Sequence, residues 1–281
     1  MGAKSIPVFF LSNRTAITAE TLGYSLLAQF PGVDFSSITI PFVDEKSKAY
    51  KIVERINKEA ELTGLQPIVI STMADEEISK IILSSKALVL DPFDRFLPDL
   101  ENTLHAHSIH ESGQSHRISN QTLYESRIDA IDFSLIHDDG ATTKLYDKTD
   151  IIILGVSRSG KTPTCLYLAL QFGIKAANYP ITEEDMDSED LPKHLRAHKH
   201  KLFGLTTDPN RLAHIREERR PGSRYASMDQ CRYEVKAAEQ MFEQYSVPYL
   251  NTTTMSIEEI STKIVEVAGL KRFSKPLISH A

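Results

Sequence analysis

Eight consecutive residues carry the densest chemistry in this chain: Gly155-Val156-Ser157-Arg158-Ser159-Gly160-Lys161-Thr162. A glycine, four residues and then Gly-Lys-Thr is the spacing of a phosphate-binding loop. The turn aims backbone N–H groups at a polyphosphate, the lysine reaches the terminal phosphates, and the hydroxyl holds Mg²⁺. With ordinary residue usage the pattern arises by chance in about one chain of this length in a hundred. All eight residues are therefore candidate nucleotide ligands. Lys161 is also a candidate catalytic cation and Thr162 the candidate metal ligand.

Other groups invite chemistry less specifically. Asn210 to Tyr225 concentrates arginine, including Arg211, Arg216, Arg219, Arg220 and Arg224. Planar guanidinium forks suit phosphate oxygens and the charge of a phosphoryl-transfer transition state. Arg216 is the candidate from this segment, and Arg158 sits within the loop itself. At His137-Asp138-Asp139-Gly140 the paired carboxylates would deprotonate an acceptor hydroxyl or ligate Mg²⁺; the same letters also make a good β-turn. Asp208 would serve either as an acidic partner of Mg²⁺ or as a helix cap. The histidines near 107–116 and at 194, 198 and 200 lack metal-ligand spacing. Ser12-Asn13-Arg14-Thr15 falls between a first strand and a first helix, where sheet topology often places ligands.

The elements that must hold these groups follow from periodicity. Ile151-Ile152-Ile153-Leu154 reads as a buried strand ahead of the loop, and Thr164 to Phe172 as a helix behind it. In the first half, strand-like runs at Pro7–Leu11, Phe35–Pro41, Gln66–Ser71 and Lys86–Asp91 alternate with helix-like runs. The helices are predicted at Ala19–Phe30, Ser47–Leu62, Asp75–Leu83 and Phe93–His105, with Asp75 and Thr18 as caps. After a polar stretch at 107–121 come a helix at Thr122–Ile131 and a strand-like Phe133–Ile136. Beyond the loop, strands are expected at Lys175–Tyr179, Leu202–Thr206 and Val247–Asn251. Helices are expected at Pro209–Glu218, Asp229–Tyr245 and Ile257–Ala268. Such alternation means parallel sheets covered by helices. The expectation is an α/β protein of two domains, an N-terminal parallel-sheet domain (1–145) and a C-terminal kinase-like phosphate-loop domain (146–281).

Bulk properties exclude several classes. The 281 residues are 41% hydrophobic and 25% charged, with 12 Gly and 13 Pro, an ordinary globular composition. A net charge of −6 argues against a general nucleic-acid binder. No apolar run approaches a membrane span, and the start turns polar too soon for a signal peptide. The two cysteines, Cys165 and Cys231, lie far apart without metal spacing, which points to a reducing cytoplasm. A homodimer is a further expectation.

Several stretches together resemble one family. They are Ser12–Glu20, Arg127–Gly140, Leu154–Pro180, Leu205–Ser227 and Pro248–Lys263, with Gly155-Val156-Ser157-Arg158-Ser159-Gly160-Lys161-Thr162-Pro163 the most specific. The chain resembles the phosphoenolpyruvate synthase regulatory proteins, of the pyruvate dikinase regulatory family. The resemblance implies two activities toward a threonine of the dikinase. One phosphorylates it with ADP as donor and releases AMP; the other removes that phosphate with inorganic phosphate and yields pyrophosphate. ADP would occupy Gly155–Thr162, and phosphoenolpyruvate synthase would be the partner. The chain departs from the family at the first βα turn, which usually reads Ser-Asp and a small residue; here Asn13 and Arg14 stand there, so Ser12–Thr15 is not carried over as a site. Two other readings remain open: an ATP-dependent small-molecule kinase, and a nucleotide sensor without turnover.

Overall fold

The computed structural model describes residues 5–109, 121–140, 142–188 and 190–271. Residues 110–120 of the polar stretch lie outside it. Cα packing divides the chain into one unit ending at Ile118 and another beginning at Ser119.

The first unit runs β1 (Ile6–Ser12), α1 (Ile17–Leu27), β2 (Phe35–Ile40), α2 (Lys46–Thr63), β3 (Ile68–Thr72), α3 (Glu76–Leu83), β4 (Leu88–Leu90) and α4 (Pro92–Leu104). Its sheet is parallel throughout, in the order β2-β1-β3-β4. The apolar β1 is buried on both faces, as a central parallel strand must be. Phe9, Leu11 and Val69 pack with α2 and α3 residues such as Ile56 and Ile78. Val8, Phe10 and Ile70 pack on the other face with Ala19 of α1. Asp75 caps α3 as read, its Oδ1 accepting from Glu77 N–H (2.9 Å) and Ile78 N–H (3.1 Å). Thr18 does not cap α1: that helix starts two residues earlier than expected, from Ala16 in a left-handed conformation (φ 64°) with no side-chain cap.

The second unit runs α5 (Gln121–Ile136), β5 (Ile151–Gly155), α6 (Lys161–Phe172), β6 (Ala176–Pro180), α7 (Glu183–Asp187), α8 (Lys193–Arg196), β7 (Leu202–Thr206), α9 (Pro209–Arg219), α10 (Met228–Gln244), β8 (Tyr249–Asn251) and α11 (Ile257–Val267). Its sheet is also parallel, in the order β6-β5-β7-β8. Ile152 and Leu154 of β5 face a core shared with α10. Ile151 and Ile153 face one shared with α6 and α11.

The α/β class and the two parallel sheets are as expected. Phe133–Ile136 is not a strand but the last turn of α5. Ala130, Phe133, Ser134 and His137 are buried, at helical rather than alternating spacing. α5 packs along α6, so it belongs with the second unit, and the division falls ahead of it rather than near 140–148. Among the described residues no helix is long and apolar enough to cross a membrane.

Candidate functional site

β5 carries no polar side chain and is wholly buried, so it delivers the 155–162 loop to the carboxyl edge of the sheet. Glycine is required at 155: a Cβ there would meet the Leu205 carbonyl oxygen at 2.5 Å. Gly160 takes φ 93° as the residue from which α6 starts, and that helix has no side-chain cap. Its first N–H groups therefore stay available, at the positive end of the helix dipole. Arg158 is also left-handed (φ 75°), and its side chain is exposed.

The loop's carbonyls are tied down instead. Gly155 O accepts from Ile181 N–H (3.1 Å), and Val156 O from Ser159 N–H (3.2 Å) and from Lys161 Nζ (3.1 Å). Ser157 O accepts from Arg216 (3.0 Å), and Ser159 O from the Thr252 hydroxyl (3.4 Å). With carbonyls turned into protein, the loop is set to meet an anion with N–H groups. Lys161 is 4% exposed. Burial lowers its ammonium to about 8, against the Asp139 and Asp138 carboxylates, which act to raise it.

The turn after α5 reaches the start of α6. The Thr162 hydroxyl donates to Asp138 Oδ1 (2.7 Å), and Asn178 Nδ2 donates to the same oxygen. Asp139 N–H donates to Asn178 Oδ1 (2.8 Å), and Asn178 N–H to His137 O (3.2 Å). Asp138 is half-buried, while Asp139, left-handed at φ 47°, is exposed; its carboxylate interacts with Lys161 by charge and accepts no hydrogen bond among the described residues. The Thr162 proton is committed to a carboxylate and its oxygen accepts a long bond from Asn178 Nδ2 (3.5 Å), which leaves one lone pair for a hard cation. Thr162 with Asp138 behind it therefore fits Mg²⁺.

Arg216 lies elsewhere than the sequence reading puts it. Its side chain is fully buried and pairs with Glu234 Oε2 (2.6 Å). It also donates to Tyr225 O and Ser157 O (3.0 Å each) and lies 4.1 Å from the Tyr225 ring centroid. Tyr225 Oη in turn bonds Ser157 Oγ (2.9 Å). Arg216 thus braces the loop through a carbonyl and does not offer a free fork to phosphate. Asp208 resolves to a cap: its Oδ1 accepts from Arg211 N–H (3.1 Å) and Asn210 N–H (2.8 Å), and hydrogen bonding from Arg211 first and then Asn210 holds its carboxyl below the usual range. In the first unit, Ser12 Oγ donates to Thr72 O (3.4 Å) and accepts from Arg14 N–H (3.2 Å), leaving Asn13, Arg14 and Thr15 on the surface turn. His194 and His198 surround the ring of Tyr146, and no metal-binding cluster occurs among the described residues. Both cysteines are buried free thiols.

Asn178, Tyr225, Glu234 and Thr252 escaped the sequence reading. Asn178 alone leaves a signal, an amide ending an otherwise apolar Ala176-Ala177 run.

A parallel sheet, a glycine-rich turn and a buried lysine at a helix start define a phosphate-handling α/β protein. The chain belongs to the kinase/pyrophosphorylase family, whose model matches residues 8–265. Curated relatives support the resemblance seen in the sequence. One from Marinobacter nauticus is 53% identical over 94% of this chain and 97% of its own length. One from Pseudomonas fluorescens is 52% identical over the same shares, and one from Alkalilimnicola ehrlichii 51% identical over 94% and 96%. Each bears the provisional name phosphoenolpyruvate synthase regulatory protein.

Proposed function

We propose that this chain regulates phosphoenolpyruvate synthase by two opposed phosphoryl transfers to and from one of its threonines, in the cytoplasm. In the kinase direction ADP lies in the 155–162 loop. The acceptor hydroxyl attacks the β-phosphorus, the bond to AMP breaks, and the hydroxyl proton passes to a carboxylate. In the phosphorylase direction a phosphate oxygen attacks the phosphothreonine phosphorus. The threonine oxygen leaves, is reprotonated, and pyrophosphate forms.

The observation that carries this reading is the convergence of Lys161, Thr162, Asp138 and Asp139 on one loop end. The electrostatics divide their roles. Lys161, a cation destabilised by burial, gains most from a phosphate and neutralises the transferring group. Thr162, backed by Asp138, would hold Mg²⁺, which when bound would neutralise charge on the phosphate oxygens. Asp138 Oδ1 already accepts two bonds, so the exposed Asp139 is the better base for a hydroxyl arriving from another protein. Arg158, exposed on the same loop, is positioned to meet charge developing at the transition state. The name shared by the relatives supplies the target.

The test is direct. Purified protein is incubated with phosphoenolpyruvate synthase and either ADP or ATP, and phosphothreonine and AMP are quantified. The expected result is threonine phosphorylation and equimolar AMP from ADP, reversed by inorganic phosphate with release of pyrophosphate. Modification with ATP but not ADP, or turnover of small hydroxyl compounds without a protein acceptor, would overturn the reading.

A further inference from the structure

Asn178 makes more contacts to the candidate site than any residue the chemistry calls for, yet it has no chemistry of its own there. It is 1% exposed, in register with Ile153 of the central strand β5. Its backbone N–H and both side-chain polar groups are spent on the turn after α5 and the start of α6. Its N–H holds the His137 carbonyl (3.2 Å) and its Oδ1 holds the Asp139 N–H (2.8 Å). Its Nδ2 donates to Asp138 Oδ1 and lies 3.5 Å from Thr162 Oγ1. A turn with two left-handed residues in succession, Asp139 (φ 47°) and Gly140 (φ 68°), needs such an outside clamp to keep one conformation.

We propose that Asn178 is the positioning residue of the divalent-cation half of this site. It fixes Asp138 so that one carboxylate oxygen takes the Thr162 proton, which would leave a Thr162 lone pair for a nucleotide-bound Mg²⁺. The same side chain orients the Asp139 peptide, so the metal side and the acceptor side are set by one amide. The inference rests on the 155–162 loop binding a nucleotide with Mg²⁺ but not on which nucleotide is the donor or which hydroxyl accepts.

The assay is equilibrium binding of ADP and of ATP, each with Mg²⁺ or with EDTA. It compares wild type, Asn178→Ala, Asn178→Asp, Asp138→Ala and the Asn178→Ala/Asp138→Ala double variant, with melting curves as a fold check. Asn178→Asp preserves volume and the acceptor for Asp139 N–H but replaces the donor to Asp138 with an oxygen, so it keeps the test alive if the alanine variant unfolds. Both Asn178 variants are expected to lose about tenfold of the Mg²⁺-dependent tightening, with affinity in EDTA changed less than about threefold. The double variant is expected to be no worse than Asp138→Ala, because hydrogen-bonded neighbours are not additive. Retained Mg²⁺ dependence in Asn178→Asp, or losses that add in the double variant, would overturn the proposal. Failure of the regulatory reading looks different: the same Mg²⁺ losses with ATP as the only ligand, or no transfer to the synthase by wild type. Wild type binding neither nucleotide would remove both.

Discussion

The two units solve the same topological problem with different residues. Ranked by position in the chain, both sheets have the order second-first-third-fourth, β2-β1-β3-β4 and β6-β5-β7-β8. In both, the strand order reverses beside the first strand, where open α/β sheets leave a crevice. In both, the helix after the first strand starts from a left-handed residue without a side-chain cap, Ala16 in α1 and Gly160 in α6. The turns differ. Asn13 to Ala16 lead into Ile17, which is exposed. Val156 to Gly160 lead into Lys161, which is buried beside two carboxylates. The crevice comes with the fold; a buried cation, glycines that admit close backbone approach, and a carboxylate behind a hydroxyl come only with particular residues.

That contrast can be attacked from both sides. The largest effect is expected from Lys161→Ala, which should lower both transfer reactions by about a thousandfold or more, with the melting curve of the unit retained. Substantial activity in this variant would remove the loop from the site. Next comes Arg216→Ala. Leaving Glu234 buried and unpaired is expected to cost about 3–5 kcal/mol in urea unfolding, and an apolar Arg216→Met/Glu234→Leu pair should recover much of it. Lost transfer with unchanged stability would instead make Arg216 a phosphate contact.

A smaller effect comes from the Lys161 proton. With its folded value lowered to about 8 from an ordinary 10.5, the folded chain releases this proton before the unfolded chain does. The burial penalty is therefore present in full below pH 8, and stability rises as pH climbs from about 8 to 10.5. The rise is at most about 3 kcal/mol and should be absent in Lys161→Met. A bound phosphate should restore the proton, so calorimetry at pH 8 in buffers of different ionisation enthalpy should show uptake of about half a proton per nucleotide. The least effect is expected in the other crevice: Arg14→Ala should leave nucleotide affinity and transfer within about twofold, as a surface substitution away from any site does. A larger loss would mean that both crevices are used.

How far the sequence could be read follows the same line. Strands with unbroken apolar runs, such as Ile151–Leu154 and Val8–Leu11, announce themselves, and the loop motif is local enough to be recognised without coordinates. Phe133–Ile136 misleads because four apolar or small residues in a row suit a strand as well as a buried helix end; only the packing of Ala130 and His137 on the same face decides. Asp138 and Asp208 are alike in sequence, each an acid followed by turn residues. Asp208 finds its acceptor role two and three residues away, which periodicity can anticipate. Asp138 finds Thr162 and Asn178 far along the chain, which it cannot. Arg216 is misplaced for a related reason: an arginine-rich segment looks exposed, and nothing local reveals that Glu234, eighteen residues on, draws one member inside.

The ties on the loop have one more consequence, for folding. Gly155, Ser157 and Ser159 are each held by a different part of the chain, Ile181, the Arg216 and Tyr225 pair, and Thr252. A loop shaped by so many distant segments exists only when all of them are assembled. A nucleotide that binds it therefore binds the folded unit and not its fragments. By mass action, ligand at a hundred times its dissociation constant adds about 2.7 kcal/mol to the folded state. On the proposed function, the cellular nucleotide pool would then be part of what keeps this half of the protein folded.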